Sequence, residues 1–128
     1  MHLTESAAAV TPFGARIRAL REARGIALKQ MAADLGVSSA YLSALEHGHR
    51  GRPSWEFVQK VIGYFNIIWD EAEELQRLAQ LSDPGIRIHT AGLSVEKTEL
   101  ANRLARLLPE MEERNLERLR ALVDEIEK

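Results

Sequence analysis

Apolar residues recur along the chain at steps of three and four, interrupted by glycine, proline or serine. That period gathers them on one face of a helix, where a strand would alternate. Phe13, Ile17 and Leu20 make the first stripe, opened by Thr11 as N-cap with Pro12 at the first helical position and closed by Gly25. A second helix is predicted from about Leu28 to Leu35, with Met31 and Leu35 apolar, Ala32 small, and Ala27 where a polar cap would stand. Gly36 marks its end, because a left-handed C-cap costs glycine almost nothing. Ser38 caps a third helix, about Ser39 to Glu46, with Leu42 and Leu45 inward. Ser54 caps a fourth, with Phe57, Val58, Val61, Ile62 and Phe65 facing the core. A fifth, Trp69 to about Leu81, is expected to bury Trp69, Ala72, Leu75, Leu78 and Ala79. Its first turn is acidic, as the helix dipole favours.

Ser82-Asp83-Pro84-Gly85 is the clearest break in the chain. Gly85 to Thr90 then alternates apolar and polar, a short strand signal; a lone strand needs a partner, such as the same segment of a second subunit. A plain extended linker is the preferred alternative. Ser94 caps a sixth helix with Leu100, Leu104 and Leu107 in register, and Pro109 stops or kinks it. Leu116, Leu119, Val123 and Ile126 stripe the last helix. The pattern is all-α: a flexible N-terminus over 1–10, a five-helix domain over 11–82, a linker over 83–93 and a helical segment over 94–128.

Composition narrows the function. The absence of cysteine excludes disulfides, thiolate metal sites and a cysteine nucleophile, and fits a reducing cytoplasm. No apolar run approaches the roughly 18–20 residues of a membrane span. MHLTESAAAV lacks the basic start and long apolar core of a signal peptide, so it reads as a frayed leader. The net charge of −2 conceals an asymmetry: residues 1–66 carry eight Lys and Arg against five acids, and residues 67–128 carry nine against fourteen. A basic half suggests a polyanion-binding face at one end only.

Helix, glycine-marked turn and second helix over Leu28–Leu45 form a helix-turn-helix. From about Phe13 to Ile67 the chain resembles the lambda-repressor-like, Cro/Xre family of five-helix DNA-binding domains. The residues that carry the likeness are Ala32-Ala33-Asp34-Leu35-Gly36-Val37-Ser38, then Tyr41-Leu42-Ser43-Ala44-Leu45-Glu46-His47-Gly48, then Arg52-Pro53-Ser54. The resemblance implies that the third helix enters the DNA major groove, with Ser39, Ala40, Ser43 and Ala44 toward the bases. None of these can form the bidentate pairs that discriminate bases most strongly, so specificity is expected partly from shape and dimer spacing. Phosphate contacts are expected from Lys29, Gln30, Ser38, Tyr41, His47, His49, Arg50 and Arg52. Family members often open the second helix with a Ser/Thr cap and Gln, where this chain has Ala27-Leu28. Arg21 and Glu46 match positions that pair in many members, tying the first helix to the end of the reader.

Other readings are weaker. His47 and His49, with His2 or His89 as distant ligands, lack zinc-like spacing, so no metal and no cofactor is expected. Ser38, Ser39 and Ser43 near His47 are explained as caps and groove hydroxyls, not as a nucleophile and base, and no enzyme activity is expected. Trp55 and Trp69 are expected in core or domain-edge packing. The stripes of the last helices (Leu100, Leu104, Leu107, Leu116, Leu119, Val123, Ile126) need a cover, and dimerisation is preferred over packing on the fifth helix. The expected function is a cytoplasmic, homodimeric transcriptional repressor or autoregulator binding an inverted-repeat operator in double-stranded DNA. The alternatives are an antitoxin whose C-terminal helices bind a protein partner, and an interaction module that has kept the fold without DNA binding.

Overall fold

The computed structural model describes residues 11–128; the flexible N-terminus expected over 1–10, and His2 with it, lies outside the described residues. The chain forms two compact units, dividing after Ile86. The first holds α1 (Pro12–Ala23), α2 (Leu28–Leu35), α3 (Ser39–His47), α4 (Trp55–Phe65) and α5 (Trp69–Gln80). The second holds α6 (Val95–Leu107), a 3-10 turn (Leu108–Glu110) and α7 (Glu113–Glu127). All regular structure among the described residues is helical.

In the first unit α1 packs on α3 and α5, α2 on α3 and α4, and α4 on α5. The core is the set of inward residues that the spacing marks: Phe13, Ile17, Met31, Ala32, Leu35, Leu42, Leu45, Phe57, Val58, Val61, Phe65, Leu75 and Ala79, joined by Ile67. Ile62 is half-buried against it. The start of α1 is fully accounted for. Pro12 has no amide proton to place. The Phe13 amide donates to Ser82 Oγ at 2.8 Å, the Gly14 amide to Thr11 Oγ1 at 3.1 Å, and the Ala15 amide to the Thr11 carbonyl at 3.0 Å. Ser82 Oγ donates in turn to the Leu78 carbonyl at 2.6 Å. Ser82 is therefore more than a break after α5; it closes the end of the unit onto its beginning.

Gly14 is where α1 and α3 touch. A β-carbon there would stand 2.5 Å from the Leu45 carbonyl oxygen and 2.8 Å from that of Glu46. Only glycine lets two backbones come that close. Gly36 plays the other glycine role: at φ 77° it ends α2, its own amide donating to Ala33 O and that of Val37 to Ala32 O. The turn between α2 and α3 is tight as a result.

Two expectations need correction. Trp69 is not in the core but 81% exposed, and Trp55 is 67% exposed. Trp69 has φ 55°, a left-handed backbone that a bulky side chain rarely adopts, so it leaves the direction that helical spacing assigns to it. Leu75 and Ala79 are buried as expected, with Ala72 and Leu78 half-buried. The strand alternative over Gly85–Thr90 does not form: the segment runs without regular structure, as the preferred linker reading expects, and Ile86 and Ile88 are 72% and 62% exposed.

In the second unit the Ser94 hydroxyl oxygen accepts the Lys97 amide at the start of α6. The helix gives way to the 3-10 turn at Leu108-Pro109, as the missing proline donor dictates. Neither α6 nor α7 contains a buried residue. Leu104, Leu107, Met111, Leu119 and Leu122 border a hollow of about 790 Å³.

Candidate nucleic-acid interface

The third helix is short and well held. Ser38 caps it, its oxygen accepting the Tyr41 amide at 3.0 Å, and Leu42 and Leu45 anchor it in the core. What this leaves outward is the set expected for groove contact: Ala40 exposed, with Ser39, Ser43 and Ala44 half-buried. The face is small in side-chain volume, which favours close backbone approach over long-range recognition.

Its far end is fixed to α1 by a charged clasp. Arg21 Nε donates to Glu46 Oε2 at 2.8 Å and Nη2 to Oε1 at 3.1 Å, a two-point fork, while Nη1 donates to the Ile26 carbonyl at 2.9 Å. Glu46 is 1% exposed. The Glu46 hydrogen bond pushes the Arg21 pKa above its ordinary value, outweighing the opposing effect of burial. The pair orients the reader against the body of the domain; both partners of a buried pair must be present, since either alone is an uncompensated charge.

His47 closes the reader's last turn. Its Nδ1 lies 2.9 Å from the Ser43 carbonyl oxygen and 3.4 Å from Ser43 Oγ. A carbonyl oxygen can only accept, so the short contact puts the proton on Nδ1 and leaves Nε2 for other partners. The His47 and His49 rings are 6.1 Å apart. Among the described residues no three His, Cys, Asp or Glu side chains are grouped to hold a metal ion.

The remaining candidates divide into three groups. Ser38, Tyr41 and Arg50 border one hollow beside the start of α3. Arg52 lies at a different hollow, with Trp55, Gln76 and Gln80. Lys29 and Gln30 are exposed on the first turn of α2, which has no side-chain cap, and Gln30 Nε2 donates to Asp34 Oδ1 at 2.8 Å. Sequence reasoning passed over three supports of this surface. Lys60 Nζ donates to the Leu35 carbonyl at 3.4 Å, at the end of α2. The Tyr64 hydroxyl donates to Asp34 Oδ2 at 2.7 Å, and Arg24 Nη2 to the Phe65 carbonyl at 3.1 Å. Each joins positions far apart in the chain, so no local pattern announces it.

A family model described as a helix-turn-helix domain matches residues 12–67, the stretch that contains α1 to α4. Over those residues the chain is similar to helix-turn-helix domains of the Cro/Xre type. Two similar proteins of Bacillus subtilis (strain 168) carry names of the same kind. The uncharacterized HTH-type transcriptional regulator RghRB is 34% identical over 61 residues, 48% of this chain and 44% of its own length. The HTH-type transcriptional regulator SlrR is 29% identical over 130 residues, 88% of this chain and 86% of its own length. A crystal structure of SinR, the master regulator for biofilm formation, in complex with DNA, aligns at a TM-score of 0.44 and 30% identity, covering 50% of this chain and 97% of that one. The chain spans less than half the length of RghRB. No helix among the described residues is long and apolar enough to cross a membrane.

Proposed function

We propose that this helix-turn-helix protein is a DNA-binding transcriptional regulator, a repressor or autoregulator, acting as a homodimer on an inverted-repeat operator. The observation that carries the reading is the reader helix itself: capped by Ser38, anchored by Leu42 and Leu45, clasped through Arg21 and Glu46, and presenting the small side chains of Ser39, Ala40, Ser43 and Ala44 between Tyr41 and His47. Ser39, Ala40, Ser43 and Ala44 approach the base edges in the major groove. Lys29, Gln30, Ser38, Tyr41, His47, His49, Arg50 and Arg52 meet the phosphates on either side. The names of RghRB and SlrR, both HTH-type transcriptional regulators, support the same reading.

Pairing follows from the second unit. Its helices bury no side chain, while Leu100, Leu107, Leu122, Val123 and Ile126 stand between 43% and 73% exposed. Leu104, Leu116 and Leu119 are half-buried in the same stripes. Covering that surface with a second copy removes it from water and sets two readers on half-sites about 34 Å apart. In this reading the acidic second half stays off the DNA.

The deciding measurement is duplex binding as a function of salt. Neutralising several phosphates releases counterions, so log K should fall steeply with log salt, by about 0.9 per phosphate contacted. A flat dependence removes the DNA reading. Sedimentation of a fragment ending at Asp83 tests the pairing: it should run as a monomer, and a dimeric fragment would place the interface elsewhere.

A further inference from the structure

Two arginines of the first unit lie over aromatic rings, and they are engaged differently. Arg24 stands 5.0 Å from the Phe65 ring centre and also donates to the Phe65 carbonyl, which commits it to joining α1 and α4. Arg50 stands 5.0 Å from the Tyr41 ring centre. Among the described residues, however, its guanidinium has neither a carboxylate at ion-pair distance nor a hydrogen-bond acceptor. The ring beneath it is itself braced: Tyr41 meets Phe57 edge-on, centres 5.6 Å apart at 85°, and Phe57 belongs to the core. A line of support therefore runs from the core through Phe57 and Tyr41 to a cation whose donors are unspent.

The placement matters because Arg50 belongs to an exposed loop between Gly48 and Gly51. An arginine there would ordinarily surrender most of its rotamer freedom on meeting an anion. Laid on a ring, the planar guanidinium has given up part of that freedom beforehand and keeps its edge donors available. Ser38, Tyr41, Arg50 and Lys60 border a common hollow of about 510 Å³ at the start of the reader helix, with Glu56 as an acidic neighbour.

We propose that Tyr41 is a positioning residue for Arg50, holding the guanidinium at the mouth of the reader so that Arg50, and not the Tyr41 hydroxyl, contacts a DNA phosphate. This rests on the DNA-binding reading above and reassigns Tyr41 within it. The test uses the full chain and a short fluorescein-labelled duplex of arbitrary sequence, titrated at several NaCl concentrations. Arg50→Ala should weaken binding and flatten the salt slope by about 0.9, one phosphate's worth. Tyr41→Leu should weaken binding about two- to fivefold, the strength of an exposed cation–ring contact. Tyr41→Phe should bind as the parent does, and Tyr41→Leu should cost nothing further once Arg50 is alanine. Losses that multiply, or a Tyr41→Phe variant as weak as Tyr41→Leu, would overturn the assignment while leaving DNA binding intact. If the parent shows no salt-dependent binding, the DNA reading fails and this inference with it. Should Tyr41→Leu fail to fold, proton NMR of the parent and of Tyr41→Phe decides. Upfield ring-current shifts on the Arg50 δ-protons support the platform, and random-coil shifts overturn it.

Discussion

In residues 11–86, fourteen apolar side chains are buried in one connected core; among the residues after Ile86 no side chain is buried, although leucine, valine and isoleucine stripe both helices. Burying one such side chain stabilises a fold by about 1.5–3 kcal/mol, so the first unit has its own reason to fold. The second has helix caps and a proline stop but no buried side chain in either helix. Helices of 13 and 15 residues are marginal in water by themselves. Similar apolar spacing thus does two jobs, building an interior in one region and offering a surface in the other.

The comparison breaks first at Glu46. Glu46→Ala leaves Arg21 half-buried without its partner and should cost the first unit about 3–5 kcal/mol in urea unfolding, with DNA binding lost alongside. The matching polar contact of the second unit, Arg118 to Asn115 at 3.2 Å, is exposed. Arg118→Ala should change stability by no more than about 0.5 kcal/mol. Equal effects in both units would erase the distinction.

Gly14→Ala comes next. Its new methyl meets two backbone oxygens of α3, and neither can swing aside as a side-chain tip would, so a loss of about 1–3 kcal/mol is expected. Gly85→Ala, where an added methyl meets nothing within 4 Å, is the control and should melt like the parent. Paired substitutions in the second unit, Leu107→Asp with Leu122→Asp, should shift sedimentation toward monomer and leave the unfolding midpoint of the first unit in place. A matching fall in that midpoint would mean that the first unit depends on the second.

The smallest effect concerns Tyr64. Partial burial and then its hydrogen bond to Asp34 raise the phenol pKa above its ordinary value of about 10. The folded state therefore favours neutral phenol. That contribution is complete below the ordinary tyrosine range and is lost as pH rises through the folded value. Spectrophotometric titration should find this tyrosine shifted upward, and Asp34→Asn should bring it part of the way back. An unchanged titration in Asp34→Asn would remove the hydrogen bond from the account.

What could be read in the chain beforehand was whatever local spacing encodes. Leu28–Leu35, Gly36 and Ser38 declare a helix, a stop and a cap within eleven residues, and the structure has each in place. Trp69 departs from its expected place because its spacing to Ala72 fits an inward helical position, while at the first residue of α5 its backbone takes a left-handed φ of 55°. Ile86 and Ile88 alternate as a strand would, but alternation cannot supply the neighbour a strand requires. Gly14 was passed over because glycine inside a helical stripe reads locally as a weakness; its reason lies on another helix, 31 residues away at Leu45. The candidate interface follows the same division. The cap and outward face of the reader are local facts, whereas the rests of Arg50 and Lys60 are tertiary.

The bond from the Phe13 amide to Ser82 Oγ has a mechanical side. It fastens the point where the chain leaves the five-helix unit to the first turn of α1, 69 positions earlier. A pull on the segment beyond Ser82 would be felt at α1, the helix that grips the reader through Gly14 and Arg21, before it had to unravel α5. The exit of the unit works as a latch, so a fragment ended at Leu81 should open from its first helix.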